Sequence, residues 1–175
     1  MENKLKKNPV LTRGFTLVEL IVVITVIAIM LAAALPPFMQ WREGLRYREA
    51  SNGFVAALRA VRSASITTNR QVELEVGANT YRTKTGNRSI ASTVWVSQPL
   101  ITLLTGIGLN SPNSRIIANP NGSLFFTSVA DATPVFSSVS ATVTVSVQNI
   151  SVAPVINRYS IALTQTGRIS VARVN

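Results

Sequence analysis

The sequence contains no cysteine and no histidine, and aspartate occurs once, at Asp131. Those absences exclude disulfide staples, Cys/His zinc sites, thiol nucleophiles and every His-based triad. A single aspartate also excludes an aspartic dyad within one chain. Beyond the first turn of the chain's apolar run, an enzyme would have to be built from Ser, Thr, Tyr, Lys, Arg and a few glutamates. The chain is therefore read as non-catalytic, with no metal and no cofactor. Charged residues make up only 14% of it, while hydrophobic residues reach 47% and mean hydropathy is +0.31. That balance excludes intrinsic disorder and points to a membrane segment. At 175 residues there is room for one ordinary domain and an appendage.

Charge of one sign is scarce too. Lys and Arg number 17 against 7 Asp and Glu, for a formal net charge of +10. From Val76 onward Arg82, Lys84, Arg88, Arg115, Arg158, Arg168 and Arg173 face Asp131 alone. A domain so basic attracts polyanions as a class: nucleic acid, anionic lipid or an acidic protein.

The long apolar run is present and lies near the start. After a basic opening with Lys4, Lys6, Lys7 and Arg13, no residue from Leu20 to Trp41 is charged. As a helix that stretch spans roughly 33 Å, enough for a bilayer core of about 30 Å. Three readings fit it. One is a secretory signal peptide cut after Ala34, which would release a soluble protein beginning at Leu35. Its apolar region would be longer than the usual ~7–15 residues and would carry a carboxylate, Glu19. The second is a plain anchor. The third is a leader removed in front of the apolar segment.

The residues Gly14-Phe15-Thr16-Leu17-Val18-Glu19-Leu20 resemble the processing site of type IV pilins and type II secretion pseudopilins. That resemblance implies cleavage by prepilin peptidase between Gly14 and Phe15 and N-methylation of Phe15. It also implies assembly with other pseudopilins through Glu19, paired with the Phe15 amine of a neighbouring subunit. Four residues give about 6 Å of axial offset, so such a pair would set a stagger between helices. A simpler role for Glu19 is a first-turn carboxylate favoured by the helix dipole, by ~0.3–1 kcal/mol. The implied location is the bacterial inner membrane, single-pass, with the leader cytoplasmic and the head periplasmic, and later the assembled pseudopilus. The charge asymmetry supports this orientation weakly, because Arg42, Arg46 and Arg48 follow the span.

Pro36-Pro37 is expected to kink or break the helix, since neither residue has an N–H. A helical pattern then runs from Trp41 to about Thr67. Phe54, Leu58 and Val61 form an apolar stripe with Leu45 and Val55 near it, and Arg46, Arg59 and Arg62 fall on other faces. After Asn69 the chain reads as strand and turn. The expected strands are Gln71–Val76, Thr80–Lys84, Ser92–Val96, Ile101–Leu104, Leu124–Thr127, Ala141–Val147, Arg158–Leu163 and Ile169–Val174, with Gly106–Gly122 as loop. The fold class is α+β and pilin-like: a long N-terminal helix, membrane span then amphipathic half, packed on a β-rich head. The expected organisation is a leader over 1–14, a membrane or fibre-core helix over 15–40, an amphipathic helix over 41–68 and a head over 69–175.

A narrower resemblance rests on Leu58–Ile66, Asn69–Leu74, Asn119–Ser123 and Thr166–Ile169. Together these are similar to the GspH/FimT group of minor pseudopilins, except that Ala64 stands where that group often has an acid. The group serves both type II secretion and type IV pili. The first machine implies secreted proteins as further partners. The second implies a pilus subunit that binds DNA through a Gly-Arg-x-Arg motif in the closing hairpin, or one that primes pilus assembly. Here Gly167-Arg168-Ile169-Ser170 keeps one arginine and loses the other, and Arg173 lies three residues on. Lys84-Thr85-Gly86 copies a β-lactamase triplet but has no Ser-x-x-Lys beside it, and is read as a turn. Glu73 and Glu75, two apart on one strand face, are read as a solvated edge.

Overall fold

The computed structural model describes residues 14–128, 142–151 and 154–174. The leader before Gly14 and Asp131 lie outside the described residues. The chain divides into two compact units, one up to Arg42 and one from Glu43 onward.

A single helix, α1 (Leu17–Thr68), contributes to both. Its start is fixed by a capping box. Thr16 Oγ1 accepts from the Glu19 N–H at 3.2 Å, and the Glu19 carboxylate accepts from the Thr16 N–H at 3.1 Å. Its end is fixed by Asn69, which adopts φ 53° and lets the Arg70 N–H reach back to the Ser65 carbonyl at 3.3 Å. Pro36 and Pro37 sit inside α1, which corrects the expected break. Two ladder bonds, to the carbonyls of residues 32 and 33, are necessarily missing there, yet the helix continues through both positions. Every residue from Gly14 to Met39 is exposed, and Thr25, the polar residue within the apolar run, returns its hydroxyl to the Ile21 carbonyl at 2.7 Å.

In the second unit two antiparallel sheets share one core with residues 43–68 of the helix. Sheet A runs β3 (Trp95–Ser97), β2 (Thr80–Gly86), β1 (Val72–Val76), β6 (Arg115–Ala118), β7 (Leu124–Thr127), with β4 (Ile101–Thr102) also pairing β2. Sheet B runs β10 (Ile169–Arg173), β9 (Ile156–Thr164), β8 (Thr142–Asn149), β5 (Ile107–Asn110). Phe54, Val55, Leu58 and Val61 pack with Val72, Leu74 and Ile116 of sheet A and Val145, Val147, Ile161 and Leu163 of sheet B. The stripe expected of the amphipathic half is thus the core face of the helix. Phe54 and Tyr81 meet edge to face at 5.5 Å. Leu45 is not part of that stripe: it is 41% exposed, because it lies off the arc that Tyr47, Phe54, Leu58 and Val61 share.

Two further expectations are corrected. Gly106–Gly122 is not a loop throughout but holds β5 and β6, whose short apolar triplets were masked by the glycines, prolines and asparagines around them. Lys84-Thr85-Gly86 is not a turn but the end of β2, paired with Glu73, Val72 and β3.

Candidate processing and assembly site

The Gly14–Phe15 bond precedes the helix in non-helical chain, and Phe15 is 85% exposed. A Cβ placed on Gly14 would meet nothing within 4 Å, so nothing in the described chain demands glycine there. Glu19 sits in the first turn of the helix with its Oε2 taken twice by Thr16, from the backbone N–H at 3.1 Å and the hydroxyl at 3.2 Å. Its other oxygen has no hydrogen-bond partner among the described residues. Thr16 was missed in the sequence reading, although Thr-x-x-Glu ahead of an apolar run is a recognisable capping signature.

The head brings the narrower motifs to one place. Arg62 Nε donates to the Gly122 carbonyl at 2.9 Å and Nη2 to the Thr166 carbonyl at 3.5 Å. Ser65 Oγ reaches the Asn119 carbonyl at 3.0 Å. Gln71 Nε2 donates to Asn119 Oδ1 at 2.9 Å, and its Oε1 accepts the Ser92 N–H at 2.8 Å. The helix end, the Asn119–Ser123 turn and the β9–β10 turn are therefore tied by one hydrogen-bond system. Gly122 and Gly167 take φ +80° and +83°, and a Cβ on Gly167 would come within 2.6 Å of the Arg62 guanidinium. Arg62 is thus a half-buried strut, not the outer-face residue the periodicity suggested.

The far face of sheet A corrects the reading of Glu73 and Glu75. β1 is flanked by β2 and β6, and Glu73 is 0% exposed. Arg115 holds it with two parallel bonds, Nε to Oε1 at 2.8 Å and Nη2 to Oε2 at 2.5 Å. Lys84 Nζ lies 3.1 Å from Glu75 Oε1, Arg82 pairs with Glu75 as well, and the Arg115 guanidinium lies 5.6 Å from the Trp95 ring centre. Burial alone would raise the Glu75 carboxyl, but hydrogen bonds from Arg82 and Lys84 hold it below the usual carboxylate range. Glu73 is therefore half of a buried bidentate ion pair inside the sheet, not part of a solvated edge.

Arg168 and Arg173 are both exposed. In β10, Arg173 shares a face with Ile169 and Val171, and Ser170 and Ala172 share the other, so Ser170 and Arg173 point to opposite sides. The structure does not gather the two arginines into one strand face.

Comparison with known proteins adds two findings. Residues 11–35 match the prokaryotic N-terminal methylation motif. The fold is similar to that of the minor pseudopilin EpsH from the Type 2 Secretion System of Vibrio cholerae, with a TM-score of 0.50 at 10% identity over 73% of this chain and 97% of that one. The chain carries a type IV prepilin-like methylation motif on a pseudopilin fold. No curated protein sequence matches it significantly. The motif covers the segment in which Gly14, Phe15, Thr16 and Glu19 stand, and the structural likeness extends to the α+β head.

Proposed function

We propose that this protein is a structural minor pseudopilin of a type II protein secretion system, of the GspH/FimT type. The observation that carries the reading is the methylation motif joined, through one uninterrupted helix, to a head with the fold of EpsH. Prepilin peptidase cuts between Gly14 and Phe15 at the inner membrane, and the new Phe15 amine is methylated. The exposed apolar surface from Phe15 to Met39 then passes from lipid to contacts with other pseudopilins in the fibre core. Glu19 serves twice in this reading. One oxygen caps its own helix through Thr16, and the other is open to the Phe15 amine of a neighbouring subunit. The head is periplasmic, and secreted proteins are its cargo. Nothing in this scheme asks the protein for catalysis.

The test is deletion of the gene followed by quantitative proteomics of culture supernatant and periplasm. Exoproteins stranded in the periplasm are the expected result. An unchanged secretome overturns the secretion reading in favour of a minor pilin of a type IV pilus. The mature N-terminus is expected at Phe15 by mass spectrometry, and a start at Leu35 would instead identify a signal peptide.

A further inference from the structure

Between the helix and the β9–β10 turn lies an open groove of about 490 Å³, lined by Arg59, Arg62, Ser63, Ile66, Gly167 and Ile169. Among the described residues its two cations have no counter-charge. Arg62 spends Nε and one Nη2 proton on backbone carbonyls, which accept hydrogen bonds but do not neutralise a guanidinium. Its remaining N–H groups have no partner among the described residues. Arg59, one turn earlier on the same helix, is exposed and makes no hydrogen bond or ion pair among the described residues. The Ser63 hydroxyl is likewise uncommitted there. No carboxylate lines the groove. Two like charges three positions apart on one helix repel each other, so the helix by itself gains nothing from the arrangement.

The rest of the lining is aliphatic. Ile66 is 51% exposed, and Ile169 is partly buried against the core. A ligand that fits presents a carboxylate to Arg59 and Arg62 and a branched aliphatic side chain to the two isoleucines. Nucleic acid fits less well, because the groove has no aromatic ring on which a base could stack. A second copy of this chain fits less well too. It carries 17 basic residues against 7 acidic ones, and of the acids Glu73 and Glu75 are committed to Arg115, Lys84 and Arg82.

We propose that this groove docks an acidic, aliphatic segment of a different polypeptide. The geometry supplies two guanidinium groups and a hydroxyl for its carboxylates, and Ile66 and Ile169 for its apolar side chains. All the residues that line the groove belong to the head, so it is present in a secretion pseudopilus and in a pilus alike.

The experiment uses the full chain in a neutral detergent. The probe is a short fluorescent peptide carrying Asp and Glu beside Leu and Ile, compared with its Asn/Gln counterpart and with a labelled DNA duplex. The acidic peptide is expected to bind, with the neutral counterpart roughly tenfold or more weaker, since hydrogen bonds to charged groups are the strong ones. Arg59→Ala should weaken binding by about tenfold and Arg59→Glu should abolish it. Arg59 is exposed and makes no hydrogen bond or ion pair among the described residues, so these variants are expected to fold, and Ile66→Ser checks the apolar half with a weaker loss. Equal binding of acidic and neutral peptides, no effect of Arg59→Glu, or displacement of the peptide by DNA at lower concentration would each overturn the proposal.

Discussion

From Gly14 to Met39 every side chain is exposed, Phe15 to 85%, whereas in the head Phe54, Leu74, Ile116 and Leu163 have no exposed surface at all. The carboxylates divide the same way. Glu19 is an exposed cap at a helix start, and Glu73 is buried under a bidentate arginine. The head encloses a core of its own, shared by the helix and both sheets, and pairs Glu73 and Glu75 internally. The N-terminal unit leaves about seven turns of helix dressed in exposed Val, Ile and Leu. Such a surface is stable only in lipid or against other apolar helices. One region has no buried core of its own among the described residues, and the other encloses one.

The largest effect that would sharpen this contrast is all-or-none. Gly14→Leu should abolish processing, so that immunoblots show only the longer precursor, while circular dichroism of the purified precursor still shows the folded head. The glycine has open space around it, and loss of head structure in that variant would break the separation between the two regions. Next in size, Glu73→Ala should destabilise the head by about 3–5 kcal/mol in urea unfolding, because it removes the buried carboxylate that pairs with the Arg115 guanidinium. The paired change Glu73→Met with Arg115→Leu should recover most of that loss. If it costs more than the single variant, the pair does more than satisfy burial.

A smaller effect concerns pH. Glu75 has its carboxyl held below the usual range in the folded head. Its contribution is therefore fully present above that range and is lost as pH falls through the lowered value. The thermal midpoint of the head should decline from about pH 5 downward, and less steeply in Glu75→Gln. Smallest is the cap. Thr16→Ala removes the capping box and should cost about 1 kcal/mol, read as faster amide exchange in the first turn of the helix and not in the head. Spread of that exchange into residues 43–68 would show the two regions to be coupled.

How far these features could be read from residues alone differs element by element. The apolar run, the helix beyond it and the stripe of Phe54, Leu58 and Val61 are periodic signals that depend on near neighbours in the chain. They survive into the structure for that reason. The role of Thr16 is equally local, because it depends on the three-residue spacing to Glu19. β5 and β6 were not legible. Each is four residues long, flanked by turn-forming residues, and pairs with a strand far along the chain: β8 for β5 and β1 for β6, which has only β7 as a neighbour close in sequence.

Sequence by itself therefore determined where the processing motif stands, that a membrane-length helix follows it, and that the head is basic and β-rich. These are statements about composition and local spacing, which tertiary contacts do not alter. Only the tertiary structure decided that the helix runs on through Pro36 and Pro37, and that Glu73 is buried against Arg115 across 42 residues of chain. Only it showed that Arg62 reaches Gly122 and Thr166, across 60 and 104 residues. Burial and pairing depend on which distant segments fold onto a residue, and no local pattern around Glu73 or Arg62 records that.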